Sequence, residues 1–215
     1  MQVLISVVVA TYNRAALLQR AIDSVLSQVF SSPEVSFELI IVDDGSTDNT
    51  FEVINPYLQA FTNFNYLKHK NRKQALSLNA GLKLASGQFI TFLDSDDQYL
   101  PVHLQTHLDY MLANPSFDLV HGGLEIIGNQ FVPDKFNTSK MIHLDDCVAG
   151  GTIFAKQEVF RQLNGFDTLD YASDSDFVDR AINFGYCVAR FHPKTYRYYR
   201  DSPDSICNNL LEKTL

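Results

Sequence analysis

Leu39-Ile40-Ile41-Val42-Asp43-Asp44 and Phe89-Ile90-Thr91-Phe92-Leu93-Asp94-Ser95-Asp96-Asp97 decide how this chain folds. Each is an unbroken apolar run, rich in β-branched or aromatic residues, that stops at carboxylates. Runs of this kind read as strands buried on both faces. In an open α/β sheet, ligands collect outside the carboxyl ends of such strands. Five carboxylates at two strand ends repel one another unless a cation or a positively polarised ligand lies between them. A divalent metal, Mg²⁺ or Mn²⁺, together with a phosphate-bearing substrate is the expected occupant.

Outward from these runs, strand and helix patterns alternate. Val3–Ala10 reads as the first strand. Arg14–Val29 reads as a helix with Leu18, Ile22, Val25 and Val29 on one stripe. A helix from Thr50 to about Phe61 contains Pro56, a short strand spans Asn65–Lys68, and a helix spans Gln74–Ala85 with Leu76, Leu78, Leu82 and Leu84. This alternation predicts a parallel sheet with right-handed crossovers. Pro101 is expected to open a helix to about Asn114. Beyond Phe117 the pattern changes to short strand-like pieces at Leu119–Leu124, Glu125–Val132 and Met141–Val148. Helices are expected at Lys156–Leu163 and Asp174–Phe184, followed by a Tyr/Arg-rich segment from Tyr186 to Arg200. With no linker or repeat, the 215 residues read as a single domain. Its first half, to about residue 100, binds donor, and the rest completes the site.

Composition narrows the function classes. The chain is 46% hydrophobic and 20% charged, ordinary values for a globular protein. A net charge of −8 argues against nucleic-acid binding, because there is no Lys/Arg surplus to release counterions. Cys147, Cys187 and Cys207 lack zinc-ligand spacing and read as reduced, largely buried thiols. The apolar opening has no basic region before it and runs into Thr11-Tyr12-Asn13-Arg14, so it reads as a strand rather than a secretion signal. No run reaches the roughly 20 apolar residues of a membrane span. A cytoplasmic protein, peripheral to membrane if its substrate is lipid-linked, is expected.

Several residues carry chemistry of their own. Asp43 can accept a hydrogen bond from a base or ribose, or cap the turn that follows it. Asp94 and Asp96 form an Asp-x-Asp whose alternate side chains suit a metal holding substrate phosphates. Asp174-Ser175-Asp176 opens a helix, where anionic side chains are favoured whether or not they react. Arg72 and Lys73 could meet a base or diphosphate. Gly150-Gly151-Thr152 lacks the Lys-Ser/Thr of a phosphate loop and suits tight packing or close approach to substrate. His103 and His107 share a helix face without a zinc motif and read as solvated.

The ordered set Val7-Val8-Val9-Ala10-Thr11-Tyr12-Asn13-Arg14, Val42-Asp43-Asp44-Gly45-Ser46-Thr47-Asp48, Asn79-Ala80-Gly81, Leu93-Asp94-Ser95-Asp96-Asp97 and Asn164-Gly165-Phe166-Asp167 resembles the family 2 glycosyltransferases of GT-A fold. The resemblance implies an α/β fold, a Rossmann-like open mixed sheet with flanking helices. It implies an inverting transfer of sugar from a nucleotide-sugar donor to a saccharide or lipid-linked acceptor. By the same resemblance, Thr11, Tyr12, Arg14, Asp43, Lys73, Asn79, Asp94 and Ser95 would contact the donor. Asp96, with Asp94, would hold the metal, Asp174 would be the catalytic base, and Gly151, Thr152 and Asp176 would face the acceptor.

The chain departs from the family pattern at Ala10, where proline is usual, and at Ser173, where glutamate is usual. It also lacks a histidine within Tyr198-Tyr199-Arg200-Asp201-Ser202. Three other readings compete. A phospho-receiver would carry its acidic pair after the first strand. A sugar nucleotidyltransferase would need glycines after that strand, and Thr11–Arg14 contains none. A degenerate, binding-only relative is the third.

Overall fold

A computed structural model describes residues 2–200. In chain order the first half contains β1 (Val3–Thr11), α1 (Ala15–Leu26), β2 (Val35–Asp43), α2 (Thr50–Ala60), β3 (Phe64–Lys68), α3 (Gln74–Leu82) and β4 (Phe89–Phe92). Then come β5 (Gln98–Tyr99), α4 (His103–Ala113), β6 (Leu119–His121), β7 (Leu124–Ile127), β8 (Phe131–Pro133) and β9 (Met141–His143). After two short 3₁₀ turns follow β10 (Phe154–Lys156), α5 (Gln157–Gln162), α6 (Ser173–Phe184), β11 (Val188–Arg190) and β12 (Tyr196–Tyr199).

Seven strands form the main sheet in the order β11-β6-β10-β4-β1-β2-β3. The four strands of the first half are parallel, whereas β10 runs antiparallel between β4 and β6. Strand period divides the core in two. Ile5, Val7, Val9, Leu39 and Ile41 point to α1 and α4, where they meet Leu18, Ile22, Leu104 and Leu108. Val8, Ile40, Val42, Ile90 and Phe92 point to α3, α5 and α6, against Ala75, Phe160 and Phe177. Burial on both faces is why these strands read as continuous apolar runs.

The helices are shorter and differently faced than periodicity suggests. α1 ends at Leu26, and Val29, the expected last member of its stripe, is 59% exposed with its N–H on the Pro101 carbonyl. α3 buries Ala75, Ser77 and Gly81 and exposes Leu76, and it ends at Leu82, which leaves exposed Leu84 in the turn that follows. The cause is proximity to the sheet. A Cβ on Gly81 would lie 2.3 Å from Val8 Cγ1, so only small residues fit on that face. Pro56 sits inside a continuous α2. Pro101 precedes α4 in a turn, two residues before His103.

His103 and His107 are fully buried rather than solvated. Their rings stack in a column with Tyr99 and Phe191. Burial holds both imidazoles below their ordinary value, His107 at about 4, so the column is neutral. Cys147 is half-buried and Cys187 exposed, against expectation, and no disulfide forms among the described residues. Cys207 and the Asp201-Ser202 part of the last motif lie outside the described residues.

In the second half the predicted Leu119–Leu124 strand divides at Gly122 and Gly123, both at positive φ. A Cβ on Gly123 would come within 2.3 Å of the Pro193 carbonyl oxygen. The break sends β6 into the main sheet and β7 into a second sheet, β5-β12-β7. β10 leaves no mark in the sequence, because three residues show no period.

Filling the α3–sheet contact should be costly. Gly81→Val is expected to destabilise the protein by about 1–3 kcal/mol through overpacking against Val8, read as a lower urea midpoint with unchanged slope.

Candidate active site

The carboxyl ends of β1, β2 and β4 open on one edge of the sheet. Thr11 and Asp43 are register partners there. The loops beyond them are stapled together. Asn13, at φ 51, donates its N–H to Ser46 Oγ (3.0 Å) and accepts from Thr47 N–H (2.8 Å), while Ala15 N–H reaches Asp48 (3.1 Å). This staple leaves Tyr12 46% exposed at the rim. Asp43 is fully buried, accepting from Ser46 N–H (2.7 Å) and Tyr66 hydroxyl (2.8 Å), with Lys68 at 3.6 Å. Burial alone would push its carboxyl up, but the hydrogen bonds from Ser46 and Tyr66 and the Lys68 charge outweigh it and hold the group below the usual value. Asp43 therefore organises this turn whatever ligand binds. Asp44 accepts from the N–H groups of Arg72 (2.7 Å) and Lys73 (2.9 Å), which sets the loop entering α3.

Asp94–Asp97 leave β4 as a turn rather than as extended strand, closed by Asp97 N–H on the Asp94 carbonyl (3.0 Å). Asp94 and Asp96 are half-exposed, and Ser95 and Asp97 are buried. Gln74 donates to Asp94 Oδ1 (3.0 Å). Burial, then the charges of Asp96 and Asp174, push the Asp94 carboxyl up to about 7. Asp97 is also raised well above the ordinary value, first by burial and then by Asp94 and Asp96. The Asp96 carboxylate takes no hydrogen bond or ion pair among the described residues, while its backbone carbonyl is held by Arg20. The Arg20 guanidinium stacks 3.8 Å above the Tyr199 ring.

Tyr196 is the part of this site that the sequence did not reveal. It is fully buried, donates its hydroxyl to Asp97 Oδ2 (2.7 Å) and accepts from Asp94 N–H (3.2 Å). Its ring fills the space over Gly151, where a Cβ would lie 2.2 Å from the phenol oxygen. Gly151 is thus a packing glycine. Its neighbour Gly150 donates N–H to Asp174 Oδ2 (2.8 Å), and Ser175 N–H reaches Asp174 Oδ1 (2.8 Å). Burial raises the Asp174 carboxyl despite these bonds. One phenol therefore packs between the Asp94–Asp97 turn and the turn that holds Asp174. No local pattern around Tyr196 points to this, because its partners lie about a hundred residues away in sequence.

Several of the expected ligand contacts have partners within the fold. Asn79 spends both ends of its amide on Phe166, donating to its carbonyl and accepting from its N–H, each at 2.8 Å. It is a strut between α3 and the Gly165 turn. Thr152 is fully buried, its hydroxyl donating to Ala149 (2.7 Å) and accepting from Gly122 N–H (3.0 Å). Asp176 pairs with Arg180 at 2.8 Å along α6. Lys73 is exposed at φ 71, its ammonium 3.1 Å from exposed Asp170. Arg14 lies at the amino end of α1, its carbonyl accepting from Leu17 and Leu18.

Among the described residues, no three His, Cys, Asp or Glu side chains gather to hold a metal unaided. The residues nevertheless fit a cation of the Mg²⁺ or Mn²⁺ type, which is commonly held by one or two carboxylates plus substrate phosphates. Among the described residues the Asp96 carboxylate takes no hydrogen bond or ion pair, and burial together with the Asp96 and Asp174 charges raises the Asp94 carboxyl.

A profile described as "Glycosyl transferase family 2" matches residues 6–163, most of the chain and both acidic strand ends. The chain belongs to glycosyl transferase family 2. It is 31% identical over 185 residues to an uncharacterized glycosyltransferase of Haemophilus influenzae, a match covering 82% of this chain and 71% of that protein. It is 36% identical over 137 residues to Escherichia coli UDP-Glc:alpha-D-GlcNAc-diphosphoundecaprenol beta-1,3-glucosyltransferase WfgD, covering 62% of this chain and 50% of the relative. Several curated relatives are thus about twice the length of the matched part. The fold superposes on S. aureus TarS in complex with UDP-GlcNAc with a TM-score of 0.78 at 21% identity, covering 96% of this chain and 60% of TarS. It also superposes on Mannosyltransferase PcManGT from Pyrobaculum calidifontis in complex with GDP-Man and Mn²⁺, with a TM-score of 0.72 at 21% identity, covering 92% and 57%. These likenesses identify the fold as GT-A.

Two outcomes follow for the family member described here. Folded Asp94 keeps its proton to about pH 7, whereas the unfolded side chain releases it near 3.8. Folding therefore takes up a proton in that window, and this residue's contribution to stability declines as pH rises through it. In metal-free buffer, Asp94→Asn should gain thermal stability over the wild type as pH is raised from about 4 to about 7, measured as paired melting curves. Tyr196→Phe should cost about 1–3 kcal/mol, because buried Asp97 loses a donor, measured by urea unfolding.

Proposed function

We propose that the protein is an inverting glycosyltransferase that moves a sugar from a nucleotide donor, a UDP-sugar by preference, to an acceptor hydroxyl. The observation that carries this is the meeting of Asp94, Asp96 and Asp174 at the carboxyl edge of the sheet, where burial raises the Asp94 and Asp174 carboxyls and the charges of Asp96 and Asp174 raise Asp94 further. The supporting comparisons are the family membership and the names of relatives that use sugar nucleotides.

Thr11 and Tyr12 would meet the base beside the Asp43 turn, with Arg14 and Ser95 close behind them in the donor half. Lys73 would exchange exposed Asp170 for the donor diphosphate, at little cost because exposed ion pairs contribute about 0–1 kcal/mol. Asp96 and Asp94 would hold Mg²⁺ or Mn²⁺, which when bound supplies positive charge for the departing nucleoside diphosphate. Asp174 would take the proton from the acceptor hydroxyl as its oxygen attacks the anomeric carbon. The backbone N–H groups of Gly150 and Ser175 fix the carboxylate for this, and burial raises its proton affinity above that of an ordinary carboxylate. A single displacement inverts the anomeric configuration.

The E. coli relative's name includes a diphosphoundecaprenol-linked saccharide, so a saccharide carried on lipid is the proposed acceptor class. No helix among the described residues is long and apolar enough to cross a membrane. Access to such an acceptor would then come from peripheral association on the cytoplasmic side, where sugar nucleotides are available.

Release of UDP or GDP from a donor panel, with and without EDTA, tests the reaction. Asp174→Asn should lower transfer by about 10²–10⁴-fold, the usual reach of a general base, with nucleotide affinity by calorimetry essentially unchanged. Comparable turnover in that variant would remove Asp174 as the base. EDTA-insensitive transfer would remove the metal.

A further inference from the structure

Strands β8 and β9 form a hairpin that joins neither larger sheet. Its inner residue Val132 is buried in the main core. The tip is tightly hydrogen-bonded. Asp134 N–H donates to the Lys140 carbonyl (2.8 Å), and Asp134 Oδ1 accepts from the N–H groups of Phe136 (2.8 Å) and Asn137 (2.9 Å). Two side chains tie the hairpin to the Asp174 region. Tyr171 donates its hydroxyl to the Pro133 carbonyl (2.7 Å). Lys135 reaches Ser175 Oγ (2.8 Å) and Asp179 Oδ2 (2.6 Å) on the first turns of α6.

At this pinned tip Phe136 is 87% exposed, so its ring contributes almost nothing to any core. The ring centre is 4.9 Å from the Lys135 ammonium. That ammonium bonds Ser175, the residue after Asp174 and a donor to its carboxylate. The ring thus stands within about one sugar's span of the helix start that carries the proposed base. An aromatic face is electron-rich, and the C–H face of a pyranose presents weakly positive hydrogens to it. Binding sites combine such an apolar surface with a few polar groups that fix orientation.

Resting on the transfer reaction proposed above, we propose that Phe136 is a stacking platform for a pyranose ring of the acceptor, held beside Asp174 by the Lys135 latch to Ser175 and Asp179. The occupant is a saccharide rather than a lipid surface, because the nearest cation, Lys135, is spent on Asp179, exposed Lys140 adds only a single charge at the tip, and the chain carries a net charge of −8. Attraction to anionic headgroups needs free basic charge. Lys135 acts here as a positioning residue, since it holds the tip that carries the ring in place without touching the reacting atoms.

Steady-state transfer to methyl α- and β-glycosides of glucose, galactose and N-acetylglucosamine, read as nucleoside diphosphate release, tests this. Phe136→Ala should raise the acceptor KM about ten-fold with much less change in kcat. Phe136→Trp should restore the KM, while Phe136→Leu, apolar but not aromatic, should not. Lys135→Met should raise the acceptor KM in the same direction, with a Phe136→Ala addition producing little more. Unchanged acceptor KM in Phe136→Ala, with a transferring wild type, would overturn the platform alone. A wild type that neither binds UDP nor transfers would overturn the underlying reaction. Loss of sedimentation with phosphatidylglycerol vesicles in Phe136→Ala, at unchanged acceptor KM, would assign the ring to lipid and also overturn the proposal.

Discussion

Asp94, Asp96, Asp97 and Asp174 share one corner of the molecule, and their repulsion in a poorly screened setting governs what surrounds them. The fold counters it mainly with dipoles, and Lys135 adds positive charge toward Asp174. Tyr196 and Tyr199 donate to Asp97, Gln74 donates to Asp94, and two backbone N–H groups meet Asp174. These bonds do not offset burial, which raises both carboxyls, nor the charges of Asp96 and Asp174, which raise Asp94 further, so Asp94 and Asp174 hold protons more strongly than ordinary carboxylates. The two acidic ends noticed first in sequence therefore differ in state. Asp43 is held charged by its donors and by Lys68, while the Asp94 end awaits a positive partner.

Contacts between the two halves of the chain build that corner. β10 inserts beside β4 and brings Gly150 next to the strand end. Asn79 ties α3 to Phe166, and Tyr196 packs its ring over Gly151 while bonding Asp97. In consequence the proposed donor and base residues are positioned by one contiguous set of buried groups. Movement of the Gly150 turn would displace Asp174 directly, since its carboxylate takes that N–H.

The first half was legible because its strands are buried on both faces and its helices separate them, a pattern that periodicity and apolar runs report well. The errors there are errors of facing. Leu76 in α3 and Leu84 just beyond it attract attention, yet close approach to Val8 selects Ala75, Ser77 and Gly81 for the buried side. His103 and His107 misled for a related reason: two polar side chains on one helix face look solvated, but a stacked aromatic column buries them as neutral rings. The second half was poorly legible because its strands are three or four residues long and divide at glycines. Strands that short carry no readable period.

By itself, the sequence determined the order of the first four strands, the acidic strand ends and the ordered motifs of the family. These are properties of local hydrophobic pattern and of residues close together in the chain. Tertiary structure alone decided which carboxylates meet, since Asp94 and Asp174 are eighty positions apart and their proximity depends on β10 and Tyr196. It also decided that Asn79 and Thr152 serve the framework, because a polar side chain shows its role only through its partners. Burial and charge proximity are properties of the folded neighbourhood, and they separate a carboxylate that organises a turn from one poised to bind a cation or take a proton.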